Sequence, residues 1–432
     1  MMIKYLTFIL TLCLFPFCSY SQNSEILSPY IKTLLVWVDD DWSRLPVMSL
    51  EQGETISIRF DELSPEYRRY AYTIKYCNAD WSDSYLSETE YMIGFNGNTI
   101  DDYEHSMNTL VEYTHYHLTI PNEDVRITRA GNYEVRIYDE EKGVQEPAVI
   151  ARFSVVSPKV AIGASVSSNT DIDLNRTHQQ VSFHINYKDL SVNDPINEFT
   201  VIVRQNNRTD NQVTGLKPSY ITSSGLRYEH NRSLIFDAGN EYRRFEMIYY
   251  NQAGMGIERI GSYDDYYHAT LYADAPRSKY VYDEDQDGAF LIRNSDTRTS
   301  VYSPHTESDY LFVHFTFLPE EKDAELQNGE IYLNGFFTHN SLSPEYRLTY
   351  NPDAGCYENT QLMKQGYYNY QYLFYPQGTS ISGRTAAGKS TLAPTEGNFY
   401  ETENEYQIYV YHRGFGQRCD ELVGFTQIKT LE

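Results

Sequence analysis

The stretch Lys364–Tyr375, KQGYYNYQYLFY, decides the fold class. Gly366 lies in a turn signal, and a run with high β propensity follows it. Side chains alternate between the two faces of a strand, so one face carries only aromatic rings: Tyr368, Tyr370, Tyr372 and Phe374. The opposite face is mixed, with Asn369 and Gln371 between larger residues. The pattern predicts a strand of a β-sandwich with one face in a core and the other partly exposed to water.

The same alternation recurs along the chain in short runs separated by turn residues. Examples are LLVWV (Leu34–Val38), YAYTIKY (Tyr70–Tyr76) and AGNYEVRIYD (Ala130–Asp139). No long stretch shows the 3.6-residue period of an amphipathic helix. The sequence therefore predicts an all-β protein made of tandem immunoglobulin-like or E-set β-sandwich domains.

The first residues predict a secretory signal peptide over residues 1–21. Lys4 supplies the positive charge, Tyr5–Phe17 the apolar segment, and Ser19–Ser21 a small-x-small cleavage site, which leaves Gln22 first in the mature chain. A lipoprotein signal at Cys18 is disfavoured because a bulky Phe17 precedes the cysteine. No later apolar run approaches the ~20 residues that span a bilayer, so we expect an exported, soluble protein.

Ser157–Pro158 suggests a boundary between domains. We expect residues 22–30 to be a loose leader, followed by an N-terminal sandwich at 30–157, a second sandwich at 158–275 and an E-set-like sandwich at 276–432. The last two segments could instead form one larger unit, and the sequence leaves both options open.

Composition narrows the possible partners. The chain has 432 residues, with 60 acidic and 35 basic ones and a net charge of −25, which argues against nucleic acid or an anionic membrane surface as partner. Tyrosine occurs 41 times. A tyrosine has an apolar ring and a polar hydroxyl, so we expect many to lie on half-buried sheet surfaces and at interfaces.

The mature chain has three cysteines, Cys77, Cys356 and Cys419. Three cysteines can form at most one internal disulfide in an oxidising compartment. Cys356 with Cys419 is the better candidate, because both lie in the C-terminal region. Three small buried thiols are an equal alternative.

One motif matches a phosphate-binding loop. Gly383–Ser390, GRTAAGKS, fits the G-x-x-x-x-G-K-S pattern. The preceding PQGTSIS is too polar for a buried strand, and Pro394 would break the helix that should follow. We interpret this segment as a loop without nucleotide chemistry and expect Lys389→Ala to be silent.

Two further patterns suggest metal sites without completing them. Asp283, Asp285 and Asp287 resemble the start of a calcium loop, but the twelfth position is Asn294 instead of the bidentate glutamate. His115 and His117 share one face of a predicted strand, yet no third ligand accompanies them. We find no hydrolase or redox motif, and so predict that the protein is not an enzyme and has no catalytic residue, cofactor or metal. If calcium binds at all, the candidate ligands are the three aspartates Asp283, Asp285 and Asp287.

The segment Glu330–Phe374 contains NGFF, then YRLTYNPDAGCYENTQL, then KQGYYNYQY. This order resembles the E-set arrangement of glycogen-binding modules. Those modules place tryptophans against the sugar, whereas Trp37, Trp42 and Trp81 all lie in the predicted first domain.

A second resemblance covers the chain from about Tyr30 to the C-terminus. The segments IYDEEKG (Ile137–Gly143), QNNRTDNQVTGLKP (Gln205–Pro218), EGNFYETENEYQIYVYHR (Glu396–Arg413) and GFGQRCDELVG (Gly414–Gly424) resemble the type IX secretion system plug protein family of Bacteroidetes.

This resemblance implies a periplasmic, β-rich, non-enzymatic protein that binds the outer-membrane translocon barrel. In that family the protein closes the periplasmic mouth of the channel when no delivery partner is engaged. The resemblance implies no catalytic residue and no membrane insertion of the protein itself. The alternative, which the resemblance to glycogen-binding modules implies, is an exported carbohydrate-binding protein.

Overall fold

The computed structural model describes residues 22–64, 67–295, 303–320, 326, 328–376 and 390–430. These ranges consist mainly of strands, as the alternating pattern predicts, so the all-β fold is confirmed. No helix in the described ranges is long and apolar enough to cross a membrane. The predicted signal peptide, residues 1–21, lies outside these ranges.

The first strands, in chain order, are β1 Glu25–Ile26, β2 Ile31–Val38, β3 Val47–Ser49, β4 Ile56–Glu62, β5 Tyr70–Cys77, β6 Met92–Gly94, β7 Asn98–Thr99, β8 Tyr103–His105, β9 Thr114–Ile120, β10 Val125–Ile127, β11 Gly131–Asp139 and β12 Pro147–Val156. The next are β13 Ala161–Ser167, β14 His178–Asn186, β15 Phe199–Gln205, β16 Tyr220–Ile221, β17 Gly225–Tyr228, β18 Ile235–Asp237, β19 Arg243–Met247, β20 Ile257–Tyr263, β21 Tyr266–Leu271 and β22 Phe290–Ile292.

The last strands are β23 Tyr310–Phe317, β24 Gly329–Asn334, β25 Thr349–Asn351, β26 Cys356–Lys364, β27 Gly366–Pro376, β28 Glu405–His412 and β29 Glu421–Lys429. The helices are short: α1 Pro304–Glu307 and the 3-10 turns Glu88–Glu90, Arg232–Leu234, Phe336–Thr338 and Pro344–Tyr346.

Two sheets form the first sandwich. One has the strand order β1-β12-β11-β5-β7, with β3 parallel to β12, and the other has the order β2-β4-β9-β8. Their inward faces share one core, in which Phe60 stacks on Tyr116 with 5.1 Å between ring centroids. Tyr70 meets both rings edge-on, a geometry that the ring quadrupoles favour.

A second core lies between the sheets β13-β14-β17-β16 and β15-β28-β29. A third lies between the sheet β20-β21-β23-β26-β25 and the strands that pair with β27, namely β19, β22 and β24. Both later cores combine distant parts of the chain, since β15 pairs with β28 and β21 pairs with β23. The segments 158–275 and 276–432 therefore share sheets across the predicted boundary between them.

From Gly366 onward, the stretch Lys364–Tyr375 forms β27. The side of this strand that carries Tyr368, Tyr370, Tyr372 and Phe374 lies in the third core, as predicted. The prediction for its other face is wrong at the centre. Asn369 and Gln371 are 0% and 1% exposed, and their side chains are held by hydrogen bonds instead of by water. Gln371 donates to Asn334 Oδ1 at 2.8 Å, and Asn369 Oδ1 accepts from the Gln286 backbone at 2.6 Å. Polar residues can be fully buried where every bond has a protein partner.

One further expectation is wrong, and the structure decides between two alternatives for the cysteines. Residues 22–30 are not a loose leader, because β1 pairs with β12 and places Glu25 opposite Ile150. Cys77, Cys356 and Cys419 are all free, buried thiols, so Cys356 and Cys419 do not pair. The reason is placement: Cys419 packs in the first core, whereas Cys356 lies on β26 beside Glu358.

Tyrosines fill the cores more than they cover the surface. Tyr76 and Tyr133 are 1% and 0% exposed, and their hydroxyls donate to backbone carbonyls. The Tyr76 hydroxyl bridges two segments, with 2.7 Å to both Ala130 O and Asp420 O. The expectation of half-buried tyrosines therefore holds for only part of the set, because the ring fills a core well once its hydroxyl finds a carbonyl. The use of tyrosine at interfaces stays a prediction.

Candidate functional site

The aspartates of the calcium candidate lie in one loop but face different partners. Asp283 forms an ion pair with Arg244, and Asp285 accepts two backbone N–H bonds, one of them from Asp287 at 2.7 Å. Asp287 lies 3.7 Å from Lys429 Nζ. Burial raises the pKa of Asp285 to about 7 and that of Asp287 to about 9. In the described ranges, no group of three or more His, Cys, Asp or Glu side chains could hold a metal ion.

The phosphate-loop match lies mostly outside the described residues, which resume at Ser390. The Ser390 hydroxyl donates to the carboxylate of Asp210. Asp210 in turn forms a buried ion pair with Arg208 at 2.6 Å. The one residue of the motif that is described thus contacts an acidic side chain. That Lys389→Ala changes neither folding nor cellular phenotype stays a prediction.

His115 and His117 project from the same side of β9 but bind different carboxylates. His115 Nδ1 lies 2.6 Å from Asp61 Oδ1, and both side chains are buried. His117 Nδ1 lies 3.0 Å from Asp102 Oδ2, and its Nε2 lies 3.0 Å from Ser57 Oγ. The two rings therefore do not converge on one position.

Asp61 is the centre of a buried group that we name the charged junction: Asp61, His115, Tyr310 and Lys364. Lys364 Nζ donates to Asp61 Oδ2 at 2.5 Å, and the Tyr310 hydroxyl donates to the same oxygen at 2.6 Å. Asp61 and His115 belong to β4 and β9 of the first sandwich, whereas Tyr310 and Lys364 belong to β23 and β26. The junction thus joins the first sandwich to the third core.

The Lys364 ammonium is surrounded on its remaining sides. It donates to His305 O at 2.5 Å and lies 4.1 Å from the centroid of the Tyr113 ring. The His305 ring stacks on His115 with 5.1 Å between centroids. Burial lowers the pKa of His305 to about 3, with the neighbouring His115 adding to the effect, so this ring is neutral at pH 7.

Electrostatics explain why the junction is held so closely. Burial acts against the charge on Asp61, but the ammonium of Lys364 and the His115 ring outweigh it and lower the pKa of this carboxyl. Burial also lowers the pKa of Lys364, although Asp61 opposes that shift. Both groups therefore depend on each other, as a buried ion pair does. Because the amine is enclosed by its own partners, the arrangement is suited to fixing two sandwiches and leaves no reachable nucleophile.

Sequence reasoning selected His115 and missed the other three members. The sequence signal available for Lys364 was a charged residue just before a run rich in aromatic residues; in the structure Lys364 ends β26, and β27 begins at Gly366. No local sequence pattern distinguishes Asp61 or Tyr310. Asp61 is 303 residues from Lys364 and 249 residues from Tyr310 along the chain.

A second feature is a group of solvent-exposed rings that we name the aromatic face: Tyr85, Phe95 and Phe415. They are 84%, 82% and 96% exposed. Tyr85 and Phe95 lie in the loops that follow β5 and β6, and Phe415 lies between β28 and β29. Gly414 and Gly416 flank Phe415, and Gly416 has a φ of +83° that favours glycine.

Polar contacts connect these loops to one another. Arg418 donates to Tyr85 O at 3.3 Å and forms an ion pair with Glu90. Glu88, in the same short helix as Glu90, accepts from Asn96 Nδ2 at 2.8 Å, next to Phe95. The loops that carry the three rings are thus held side by side, although the rings themselves have no apolar cover.

Exposed large rings on loops have a specific consequence. An aromatic side chain can bury 150–250 Å² on contact, and clustered apolar exposure marks interaction sites on soluble proteins. The aromatic face can therefore supply contact area to a partner, while the charged junction cannot.

Comparison with known proteins gives a family match for part of the chain and a solved structure similar to most of it. The family model described as "Type 9 secretion system plug protein 1st domain" matches residues 31–157. A crystal structure of a hypothetical protein from Parabacteroides merdae ATCC 43184 is 44% identical, with a TM-score of 0.88 over 94% of this chain and 99% of that chain.

A second solved structure is the C-terminal domain of the AgI/II polypeptide BspA from Streptococcus agalactiae. It is 7% identical with a TM-score of 0.11, over 87% of this chain and 90% of that chain, and supports no conclusion about fold or function. No curated protein matches the chain. The crystal structure shows the same fold over nearly the whole chain. The family match confirms the resemblance inferred from the sequence: over residues 31–157 the chain belongs to the type 9 secretion system plug proteins.

Proposed function

We propose that this protein binds the outer-membrane channel of the type IX translocon from the periplasmic side and closes its periplasmic opening. It does so by contact and without catalysis. Membership of the plug family supports a role in type IX secretion and a periplasmic, envelope-associated location. The channel as direct partner, and closure of its opening, are our inference from that role.

The aromatic face carries the proposal. Three rings more than four-fifths exposed lie on loops that are tied together by Arg418, Glu90 and Asn96. A plug must cover a pore with at least a standard interface of ~1,600 Å², and aromatic anchors dominate the binding energy of such interfaces. Loops held in place before binding lose little conformational freedom on docking.

Charge shapes how such a plug would bind. The chain has a net charge of −25, so its approach to a partner depends on long-range electrostatics. Rim charges mainly alter association rates and their dependence on salt. We therefore expect added salt to change the rate at which the protein associates with the channel.

The experiment replaces the aromatic face and compares it with a matched set of exposed aromatic residues elsewhere. The test variant is Tyr85→Ala, Phe95→Ala and Phe415→Ala together. The control variant is Tyr220→Ala, Tyr272→Ala and Tyr282→Ala together, at sites 64%, 61% and 58% exposed. Both are expressed in a strain lacking the native gene.

The test variant should lose co-purification of the channel at least tenfold and leave the outer membrane as permeable to a large antibiotic as in the deletion strain. The control variant should behave as wild type. Co-purification of the channel at wild-type level with all three rings removed would refute the aromatic face as the docking surface. A deletion strain with no added permeability would refute closure.

The alternative is an exported carbohydrate-binding protein that, like the glycogen-binding modules, places tryptophans against the sugar. Trp37 and Trp81 are 9% and 6% exposed, so their faces are covered by protein. No specific observation favours this alternative, and glycan binding by the wild-type protein would be the result that revives it.

A further inference from the structure

A cavity of about 120 Å³ lies where the first sandwich meets the other two cores. Its walls come from β2 and the loop after it, from the segment before β1, from β15 and β28, and from the short helix Phe336–Thr338. Trp37, Trp42 and Trp81 all line it, and they are the only tryptophans in the sequence. Leu34, Phe290 and Phe336 add apolar surface.

The charge of this cavity is opposite to that of the protein. Arg44, Arg152 and Arg204 line it, and none of the described residues that line it is an aspartate or a glutamate. The chain as a whole has 60 acidic residues and 35 basic ones. His339 adds no charge, because burial lowers its pKa to about 4.

Arg204 is the unusual member of this set. It is 9% exposed, its Nη2 donates to Gln22 Oε1 at 3.2 Å, and its Nε donates to Gln212 Oε1 at 3.1 Å. Its guanidinium carbon lies 5.2 Å from the centroid of the Tyr409 ring. All these partners are neutral, and within the part of the chain that the structure describes no carboxylate lies in ion-pair range of Arg204.

The other two arginines show what Arg204 lacks. Arg44 pairs with Glu54 at 2.6 Å, and Arg152 pairs with Glu134 at 2.7 Å. Arg152 still has a buried Nε–H without a hydrogen-bond partner. A buried cation without a counter-charge is costly, so an anion that enters the cavity would be favoured there.

We propose that this cavity binds a small organic carboxylate with an apolar body, and that Arg204 is its counter-charge. A guanidinium donates two parallel bonds to a carboxylate, while indole and phenyl walls accommodate the apolar part. An apolar cavity of ~150 Å³ holds benzene, so a cavity of about 120 Å³ takes an apolar body of at most about six carbon atoms. The carboxylate could belong to a free small acid or to the C-terminus of a peptide, and the same chemistry recognises both.

The test uses tryptophan fluorescence of the purified, full-length mature protein, because all three tryptophans line the cavity. Benzoate should produce a saturable change. Benzamide, which has the same shape without the charge, and inorganic phosphate, which has charge without the apolar body, should not. N-acetylphenylalanine compared with benzoate separates the two sources: at least tenfold tighter binding of the former indicates a chain end, and the reverse indicates a free acid.

Arg204→Gln should weaken benzoate binding at least tenfold. Arg227→Gln, which removes a surface arginine 3.7 Å from Glu229, should leave it unchanged. Should Arg204→Gln fail to fold, the melting temperature of the wild type gives a second readout, which benzoate should raise and benzamide should not. Equal responses to benzoate and benzamide, equal responses to benzoate and phosphate, or wild-type affinity in folded Arg204→Gln would each overturn the proposal.

Discussion

Lys364 Nζ lies 2.5 Å from Asp61 Oδ2, and 303 residues separate the two in the sequence. Each side chain is 1% exposed, so the pair is removed from water. The contact joins β4 of the first sandwich to β26 of the third core. A buried ion pair fixes geometry more strongly than it stabilises, because desolvation offsets most of the attraction.

Removing one partner of this pair should therefore be severe. We expect Lys364→Met and Asp61→Asn each to lower the free energy of unfolding by about 3–5 kcal/mol, because each leaves a buried group without its partner. The double variant should lose clearly less than the sum of the two. Urea unfolding, monitored by circular dichroism, measures all three, and strictly additive losses would show that the pair is not coupled.

The pH dependence of stability should follow Asp285 and Asp287. Burial raises their pKa to about 7 and about 9, against roughly 3.9 for an unfolded aspartate. The folded chain then keeps protons that the unfolded chain has released, so stability should fall as the pH rises from about 4 towards 9.

Asp287→Asn should remove part of that fall and stabilise the protein at pH 8 by on the order of a few kcal/mol. The neutral amide avoids the charge that burial penalises, and asparagine tolerates the left-handed φ of +51° at this position. Asp283→Asn, at the exposed carboxylate paired with Arg244, is the control and should show no such gain. A loss of stability in Asp287→Asn at pH 8 would contradict the assignment.

Calcium should not stabilise the protein. The carboxylates of Asp283 and Asp285 are engaged by Arg244 and by backbone N–H groups, so a cation would have to displace these contacts. Melting temperatures in the presence of millimolar calcium and of a chelator should agree. A rise with calcium that Asp285→Asn abolishes would establish a site at this loop.

The three thiols should all be free. Cys77, Cys356 and Cys419 are buried and unpaired, and burial raises the pKa of Cys77 to about 12. A thiol reagent should react slowly with the folded protein lacking residues 1–21 and should count three thiols after denaturation without reductant. A count of one would indicate a disulfide and contradict the structure.

Gly366 should not tolerate a side chain. A Cβ there would lie 2.3 Å from Leu291 O, a backbone atom of the neighbouring strand β22, so the pairing must shift. We expect Gly366→Ala to cost about 1–3 kcal/mol of unfolding free energy. Gly261→Ala is the control, because its nearest neighbour would be a flexible ring atom at 3.8 Å. Equal stability of the two variants would argue against the close approach.

The local sequence pattern was sufficient to predict an all-β fold and the aromatic, buried side of β27. The aromatic side of β27 could be predicted to lie in a core, because the alternation of side chains along a strand is a local property. The same rule could not describe the opposite face, where Asn369 and Gln371 are buried by partners from other strands. Among the site residues, His115 was visible as one of a pair of histidines, whereas Arg204 was not. What distinguishes Arg204 is that no carboxylate of the described residues lies near it in space.

The sequence by itself determined the strands, the acidic charge and the family, since each depends on residue order or composition alone. Only the tertiary structure decided how the later segments share their sheets, as the pairing of β15 with β28 shows. It also decided that Cys356 and Cys419 stay apart and that Lys364 meets Asp61. The physical reason is that these relationships join residues hundreds of positions apart. Burial and hydrogen-bond satisfaction over the whole fold select such contacts, and no local propensity encodes them.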